Sequence, residues 1–293
     1  MTPIQLIAMD MDGTLLCGSP SRMPEENMAA LHMAARAGIR LVLCSGRLPD
    51  DAALFAADAG LDMATLALNG ACTMAHPLGD IIHESTMQAE DVLLLARMAH
   101  RYGAVCGIFS GNDLVTNEGD NPAMPPDIRW GTHLFRKEAR CTYRKGLEGL
   151  DEIAHRGVNK MVILDETNAG NLPEMRREIA RSVPGLEISS SWVGNLEINA
   201  GGCHKGTALA KYAASLGIPM EAVMAIGDND NDVPMLQCAG YGVCMGNSTA
   251  SALEAADYVT LRNDFGGVAA AIRRLALGQE TPGVRRLSII PED

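Results

Sequence analysis

The sequence predicts an α/β protein: a parallel sheet built from βαβ units, interrupted by a second α/β lobe. Three observations carry that reading. Short apolar runs alternate with helix-period segments at both ends of the chain. The pattern restarts as a separate αββ-type unit between about Ile82 and Ser190. Four polar islands each follow an apolar run or open a helix, and the carboxyl ends of parallel strands are where open α/β sheets place their sites.

The first strand is expected over 4–9, the apolar run from Ile4 to Met9, followed by a helix over about 24–37 and a strand over 39–44. Pro49-Asp50-Asp51 reads as a helix start, with a proline in the first turn and acidic residues at the positive end of the dipole, so a helix follows over about 50–59 and a strand over 64–68. In the inserted stretch, a helix is expected near 88–102, strands near 104–109, 113–117 and 158–164, a helix over 168–181 and a strand over 186–190. Asn121 to Pro126 contains three prolines and reads as an irregular loop. The rhythm then resumes with a helix over 204–216, a strand over 222–226, a helix near 231–238, a strand over 241–244, a helix over 248–256 and a short strand over 257–260. The expected division is therefore 1–82 and 191–278 for the two parts of the core, 83–190 for the lobe, and 279–293 for a tail carrying Pro282 and Pro291.

The 293 residues suffice for two modest cores, and with 47% hydrophobic but only 4% aromatic residues those cores are expected to be aliphatic. A formal charge of −12 argues against a nucleic-acid or anionic-membrane partner, so an anionic substrate has to be captured locally. The eight cysteines are scattered without a CxxC pair and read as reduced thiols. No uncharged apolar run approaches the roughly 18 residues of a spanning helix, and a cytoplasmic protein is expected.

Asp10-Met11-Asp12-Gly13-Thr14 forms the first island. Residues two apart on a strand share a face, so Asp10 and Asp12 can serve one site, with Gly13 bending the chain. One carboxylate can attack phosphorus while the second protonates the departing oxygen and then activates water, provided a cation offsets the charge. The second island, Ser45-Gly46-Arg47, offers a hydroxyl and closely approaching amides for phosphate oxygens. In the third, Gly201 to Gly206, Lys205 opens a helix, where its charge opposes the dipole unless it reaches an anionic group. The fourth, Gly227 to Asp232, holds three aspartates in five residues and suits a hard cation such as Mg²⁺. Taken singly, each island also fits an Asx turn, an ordinary strand-to-helix loop or a glycine turn with a solvated lysine. Arg129, Trp130 and His133 of the lobe are further residues that could face a site, with packing or surface roles as the alternative.

In order along the chain, Asp10-Met-Asp12-Gly-Thr-Leu, Ser45-Gly-Arg, Lys205-Gly and Gly227-Asp-Asn-Asp-Asn-Asp232 resemble the four motifs of the haloacid dehalogenase (HAD) superfamily. The insertion, with Leu68-Asn69-Gly70-Ala71 before it, resembles the Cof-type branch. The resemblance implies a Rossmann-like parallel-sheet HAD core with an inserted α/β cap domain of the C2 type. It also implies Asp10 as nucleophile and Mg²⁺ ligand, Asp12 as acid/base coordinating through its carbonyl, and Asp228 as the remaining carboxylate ligand. Ser45 with Gly46, Lys205 and Asn231 would hold phosphate or substrate, and Asp232 would orient them or serve as an occasional ligand. The expected activity is Mg²⁺-dependent hydrolysis of small phosphorylated metabolites through an aspartyl-phosphate. A phosphomutase using the same aspartate pair and a silent metabolite-binding protein are the alternatives.

Overall fold

The fold was analysed in a computed structural model that describes residues 2–18, 21–117, 138–165, 171–191 and 194–287. The expected loop at 121–126, the residues Arg129, Trp130 and His133, and the end of the tail lie outside the described residues.

The chain opens with β1 (Leu6–Met9), α1 (Glu25–Arg36), β2 (Arg40–Cys44), α2 (Pro49–Asp58), β3 (Ala64–Ala67), β4 (Cys72–Met74) and β5 (Ile81–Glu84). It continues through α3 (Ala89–Arg101), β6 (Val105–Ser110), β7 (Asp113–Thr116), β8 (Thr142–Lys145), α4 (Leu150–Arg156), β9 (Lys160–Leu164), α5 (Leu172–Ser182), β10 (Glu187–Ser189) and β11 (Asn195–Asn199). The last part holds α6 (Lys205–Ser215), β12 (Val223–Gly227), α7 (Val233–Cys238), β13 (Tyr241–Cys244), α8 (Ala250–Ala255), β14 (Tyr258–Val259), α9 (Gly267–Ala271) and β15 (Arg285–Arg286).

These elements form two sheets. The first runs β15-β14-β13-β12-β1-β2-β3-β4-β5, parallel from β14 to β3 and antiparallel at both margins. Its central strands are almost wholly apolar because both faces are covered, as parallel sheets require, with Arg40 at the exposed start of β2 and Thr65 in β3 as the exceptions. Ile7, Met9, Leu43 and Ile226 pack with α1, α2 and α9, while Leu6, Ala8, Val42 and Ala225 pack with α6 and α7. The second sheet runs β10-β11-β9-β6-β7-β8. Its Cys106, Ile108, Met161, Ile163 and Ile198 face α3, α4 and α5. Its other face puts Val105, Phe109, Leu114, Val162 and Leu164 against Leu48, Leu68 and Ala71 of the first sheet's side. This is an α/β parallel-sheet core with an α/β cap.

Several elements lay outside the sequence reading, for physical reasons. In β11 only Leu196 and Ile198 are apolar, alternating with Asn195, Glu197 and Asn199, so the stretch carries no continuous apolar run. It joins the second sheet although it falls within 191–278. The expected strand to residue 68 stops at Ala67, because Leu68 and Asn69 turn left-handed (φ 51° and 62°) and send β4 back antiparallel. Asn69 takes that conformation readily; Leu68 does so at a cost in strain. In the tail, Arg285 and Arg286 add an edge strand against β14. Among the described residues, no helix is long and apolar enough to cross a membrane.

Candidate active site

β12, β1 and β2 are neighbours in register, with Met9 opposite both Ile226 and Leu43. Their carboxyl ends therefore bring Asp10, Asp228 and Ser45 to one edge of the sheet, although these residues are far apart in sequence. Backbone bonds hold the junctions: Asp10 N donates to the Ile226 carbonyl at 2.9 Å, and Ser45 N to that of Leu66 at 2.9 Å.

Lys205 delivers the cation. His204 Nδ1 accepts from Thr207 N at 3.2 Å while Thr207 Oγ1 accepts from His204 N at 3.2 Å, a reciprocal cap that starts α6 at Lys205. The ammonium, fully buried, donates to Asp10 Oδ1 at 2.5 Å and Asp232 Oδ1 at 2.6 Å. Burial opposes its charge, but the combined pull of Asp10 and Asp232 outweighs that and raises its pKa above the ordinary lysine value. The two carboxylates also offset a cation placed at the positive end of a helix.

Asp232 is spoken for on both oxygens, since Oδ2 accepts from the backbone N–H groups of Asp228 (2.9 Å) and Asn229 (3.0 Å). Asp228 Oδ1 accepts from Thr14 Oγ1 at 2.6 Å. Gly13, at φ +85°, is the reason Asp228 can come so close: a Cβ there would lie 2.4 Å from Asp228 Oδ2. Oxygens of Asp10, Asp228 and Asp232 gather within 4.8 Å of one another. Three carboxylates against one ammonium leave two negative charges, and both remaining ionisable partners register it. Burial, reinforced by the neighbouring aspartates, raises Asp10 well above the usual carboxylate range despite Lys205, and burial with Asp232 pushes Asp228 up to about 6. Buried, oxygen-only and short of positive charge, this cluster fits a hard divalent cation.

Asp12 points elsewhere. Its carboxylate is half-exposed and accepts two bonds from Arg47, Nε to Oδ2 at 2.6 Å and Nη2 to Oδ1 at 2.7 Å, while Arg47 Nη1 donates to Asp51 at 2.8 Å. This bidentate pair brings Asp12 to the second island rather than to the carboxylate cluster. Ser45 is buried, and its Oγ accepts from Arg47 N at 3.1 Å. Asn231 Nδ2 approaches Asn69 Oδ1 at 3.4 Å. Asn69 itself donates to Glu197 Oε2 at 2.6 Å, and Lys160 pairs with that oxygen at 3.0 Å. Lys160, Glu197 and Asn199 were not singled out from the sequence, and Asn69 was named only within the Leu68–Ala71 stretch, with no role at the site. The signal that could have found Lys160 is a charged residue at the head of an otherwise apolar strand, which is costly unless paired, whereas Glu197 alternates with apolar residues and its sequence gives no such signal.

The haloacid dehalogenase-like hydrolase family model matches residues 7–272. The chain is 30% identical over 287 residues to the phosphatase YwpJ of Bacillus subtilis, covering 93% of this chain and 100% of that one. It is 29% identical to the 5-amino-6-(5-phospho-D-ribitylamino)uracil phosphatase YcsE of the same organism, with 94% and 96% covered. The fold superimposes on the HAD subclass IIB sugar phosphatase BT4131 with a TM-score of 0.77 at 23% identity, covering 92% of this chain and 98% of that one. This protein belongs to the haloacid dehalogenase-like hydrolases.

Proposed function

We propose that the protein is a Mg²⁺-dependent phosphomonoester hydrolase acting on small phosphorylated metabolites through an aspartyl-phosphate on Asp10. The observation that carries this reading is the convergence of Asp10, Asp228, Asp232 and Lys205 in one buried cluster. The relatives above are phosphatases, one of them for a phosphorylated ribitylaminouracil, which favours water as the final acceptor and a small molecule as substrate.

In this reading, Asp10, Asp228 and the carbonyl of Asp12 would hold Mg²⁺, which would supply positive charge to offset the phosphoryl oxygens beside Asp10. An Asp10 oxygen attacks phosphorus as the bond to the leaving oxygen breaks, and Asp12, protonated from solvent once released from Arg47, supplies that oxygen's proton. Asp12 then takes a proton from water, whose oxygen displaces Asp10 and releases inorganic phosphate. Ser45, Gly46 and Asn231 bind the equatorial oxygens, and Lys205 turns one of its donors to them. Asp232 keeps Lys205 in place through this sequence. Asp12 reaches its proton-transfer position by giving up Arg47, whose Nε and Nη2 can then meet the substrate's charge while Nη1 stays on Asp51.

Phosphate release from a panel of small phosphomonoesters, with and without Mg²⁺, tests the reading. The expected result is release that requires Mg²⁺; silence across a broad panel would remove it. A second outcome concerns stability. The native pKa of Asp228, about 6 against an ordinary 3.8, means that its charge weighs on the fold above pH 6 and that this cost disappears as pH falls through 6 towards 3.8. Mg²⁺ should therefore raise Tm by several degrees at pH 8 and by much less at pH 5. Calorimetry at the two pH values checks this, and a Tm indifferent to Mg²⁺ at pH 8 would count against the carboxylate cluster as the cation's site.

A further inference from the structure

Lys160 lies on β9 of the second sheet, yet its ammonium ends at the backbone of the second island. Nζ donates to the Gly46 carbonyl at 3.0 Å and pairs with Glu197 Oε2 at 3.0 Å, with both side chains almost wholly buried. The strand register explains the pair. Asn199 stands opposite Lys160 across β9 and β11, so Glu197, two residues earlier, is a diagonal neighbour on the same face. Glu197 is saturated: Oε1 accepts from Ser191 Oγ at 2.7 Å and Asn195 Nδ2 at 3.2 Å, and Oε2 accepts from Asn69 as well as Lys160. Burial works against its charge, but Lys160 and these donors outweigh burial and hold the carboxyl at about 2. A buried ion pair is seldom a better packing solution than two apolar side chains of the same volume, so its place here calls for another role.

That role is visible in the peptide unit it holds. The Gly46 carbonyl and the Arg47 N–H belong to one planar trans peptide and point in opposite directions. With the carbonyl held by Lys160, the N–H is aimed at Ser45 Oγ, to which it donates at 3.1 Å. The serine oxygen is thereby committed as an acceptor, and its own proton can go to a phosphoryl oxygen. The fit is tight, since a Cβ at position 46 would lie 3.0 Å from Lys160 Nζ and 3.2 Å from Asn69 Oδ1 and would make both give by a few tenths of an ångström. The lobe also holds the far end of this loop, where Asp50 N donates to Asn112 Oδ1 at 3.0 Å and the Asp50 carboxylate pairs with Arg140. It touches the fourth island too, through Asn229 Nδ2 donating to the Ser191 carbonyl at 2.7 Å.

We propose that Lys160 is a positioning residue: held by Glu197, it carries the docking of the inserted lobe to the Gly46–Arg47 peptide and so sets the Ser45 hydroxyl for the phosphoryl group. The proposal rests on the phosphatase reading above. Its test uses the full chain carrying Lys160→Met, with Glu197→Gln as a second variant that keeps the shape but removes the charge. Binding of inorganic phosphate in the presence of Mg²⁺ is measured by titration calorimetry, and hydrolysis is followed with phosphomonoesters of unlike leaving groups.

The expected result is phosphate affinity and kcat/KM each lowered about tenfold, the loss of one aimed donor, by the same factor for every leaving group. Phosphate affinity within about twofold of the unsubstituted protein, or a loss that varies with the leaving group, would overturn the proposal. If Lys160→Met does not fold, Lys160→Met/Glu197→Leu replaces the pair by apolar groups and is read in the same way. A protein that binds phosphate but hydrolyses no ester would contradict the phosphatase reading alone, and the affinities of the variants would still decide the role of Lys160.

Discussion

Asp10→Asn is expected to abolish phosphate release, lowering kcat by about 10⁴-fold or more, the size of effect that follows when a nucleophile is removed from a site whose other groups act only with it. The fold survives the change. Asp10 shares its ammonium with Asp232, and burial with the neighbouring aspartates raises its pKa despite Lys205, so an uncharged amide loses that ion pair but relieves the desolvation and repulsion that disfavour the charge. Lys205 keeps its bond to Asp232 at 2.6 Å. Phosphate release and thermal melting, measured together, separate the two effects. Full activity in a folded Asp10→Asn protein would remove Asp10 from the chemistry and with it the aspartyl-phosphate.

Lys205→Met does the opposite, striking the fold as well as the reaction. It leaves Asp10 and Asp232 buried without their shared cation, and removing one partner from a buried pair costs about 3–5 kcal/mol. For a chain of this size that corresponds to a fall in Tm of about 10 °C. The loss has a sign in pH. Without Lys205 the carboxylates take up protons more readily in the folded state than in the unfolded one, so the variant regains stability as pH falls and loses it as pH rises. Lys205→Arg is not expected to rescue, because a planar guanidinium cannot reproduce the compact, fully buried ammonium that meets Asp10 Oδ1 at 2.5 Å and Asp232 Oδ1 at 2.6 Å. Melting curves at pH 5 and pH 8 check both statements; a variant as stable as the parent at pH 8 would mean that the ammonium does not neutralise the cluster.

Much of the core was legible because parallel strands buried on both faces are written as near-continuous apolar runs. Ile4 to Met9, Ile39 to Cys44 and Ala222 to Ile226 were read as strands from such runs, and β1, β2 and β12 occupy those stretches. The lobe was less legible. β11 alternates polar and apolar residues, and all five are buried, because its polar face meets the core rather than water. A sequence pattern reports expected exposure, and here a charged residue, Glu197, is hidden by a lysine on another strand. The two left-handed residues at Leu68 and Asn69, which reverse the chain into β4, are likewise imposed by tertiary contacts: Leu68 N donates to the Arg47 carbonyl and Asn69 N to that of Ser45.

The site divides in the same way. By itself the sequence determined which chemical groups the protein possesses and that each stands at a strand or helix end, because local periodicity and spacing are properties of neighbours along the chain. Asp10 and Lys205 were placed in this manner, whereas choosing Asp228 among the three aspartates of its island rested on the resemblance to the haloacid dehalogenase superfamily. Only the tertiary structure decided which of these groups meet. Asp12 pairs with Arg47 while Asp10 pairs with Lys205, Asp232 spends both oxygens on Lys205 and the loop amides, and Lys160 of the lobe reaches Gly46. The physical reason is range: hydrogen bonds and ion pairs act over a few ångströms, and these partners are separated by 35 residues for Asp12 and Arg47 and by 195 for Asp10 and Lys205.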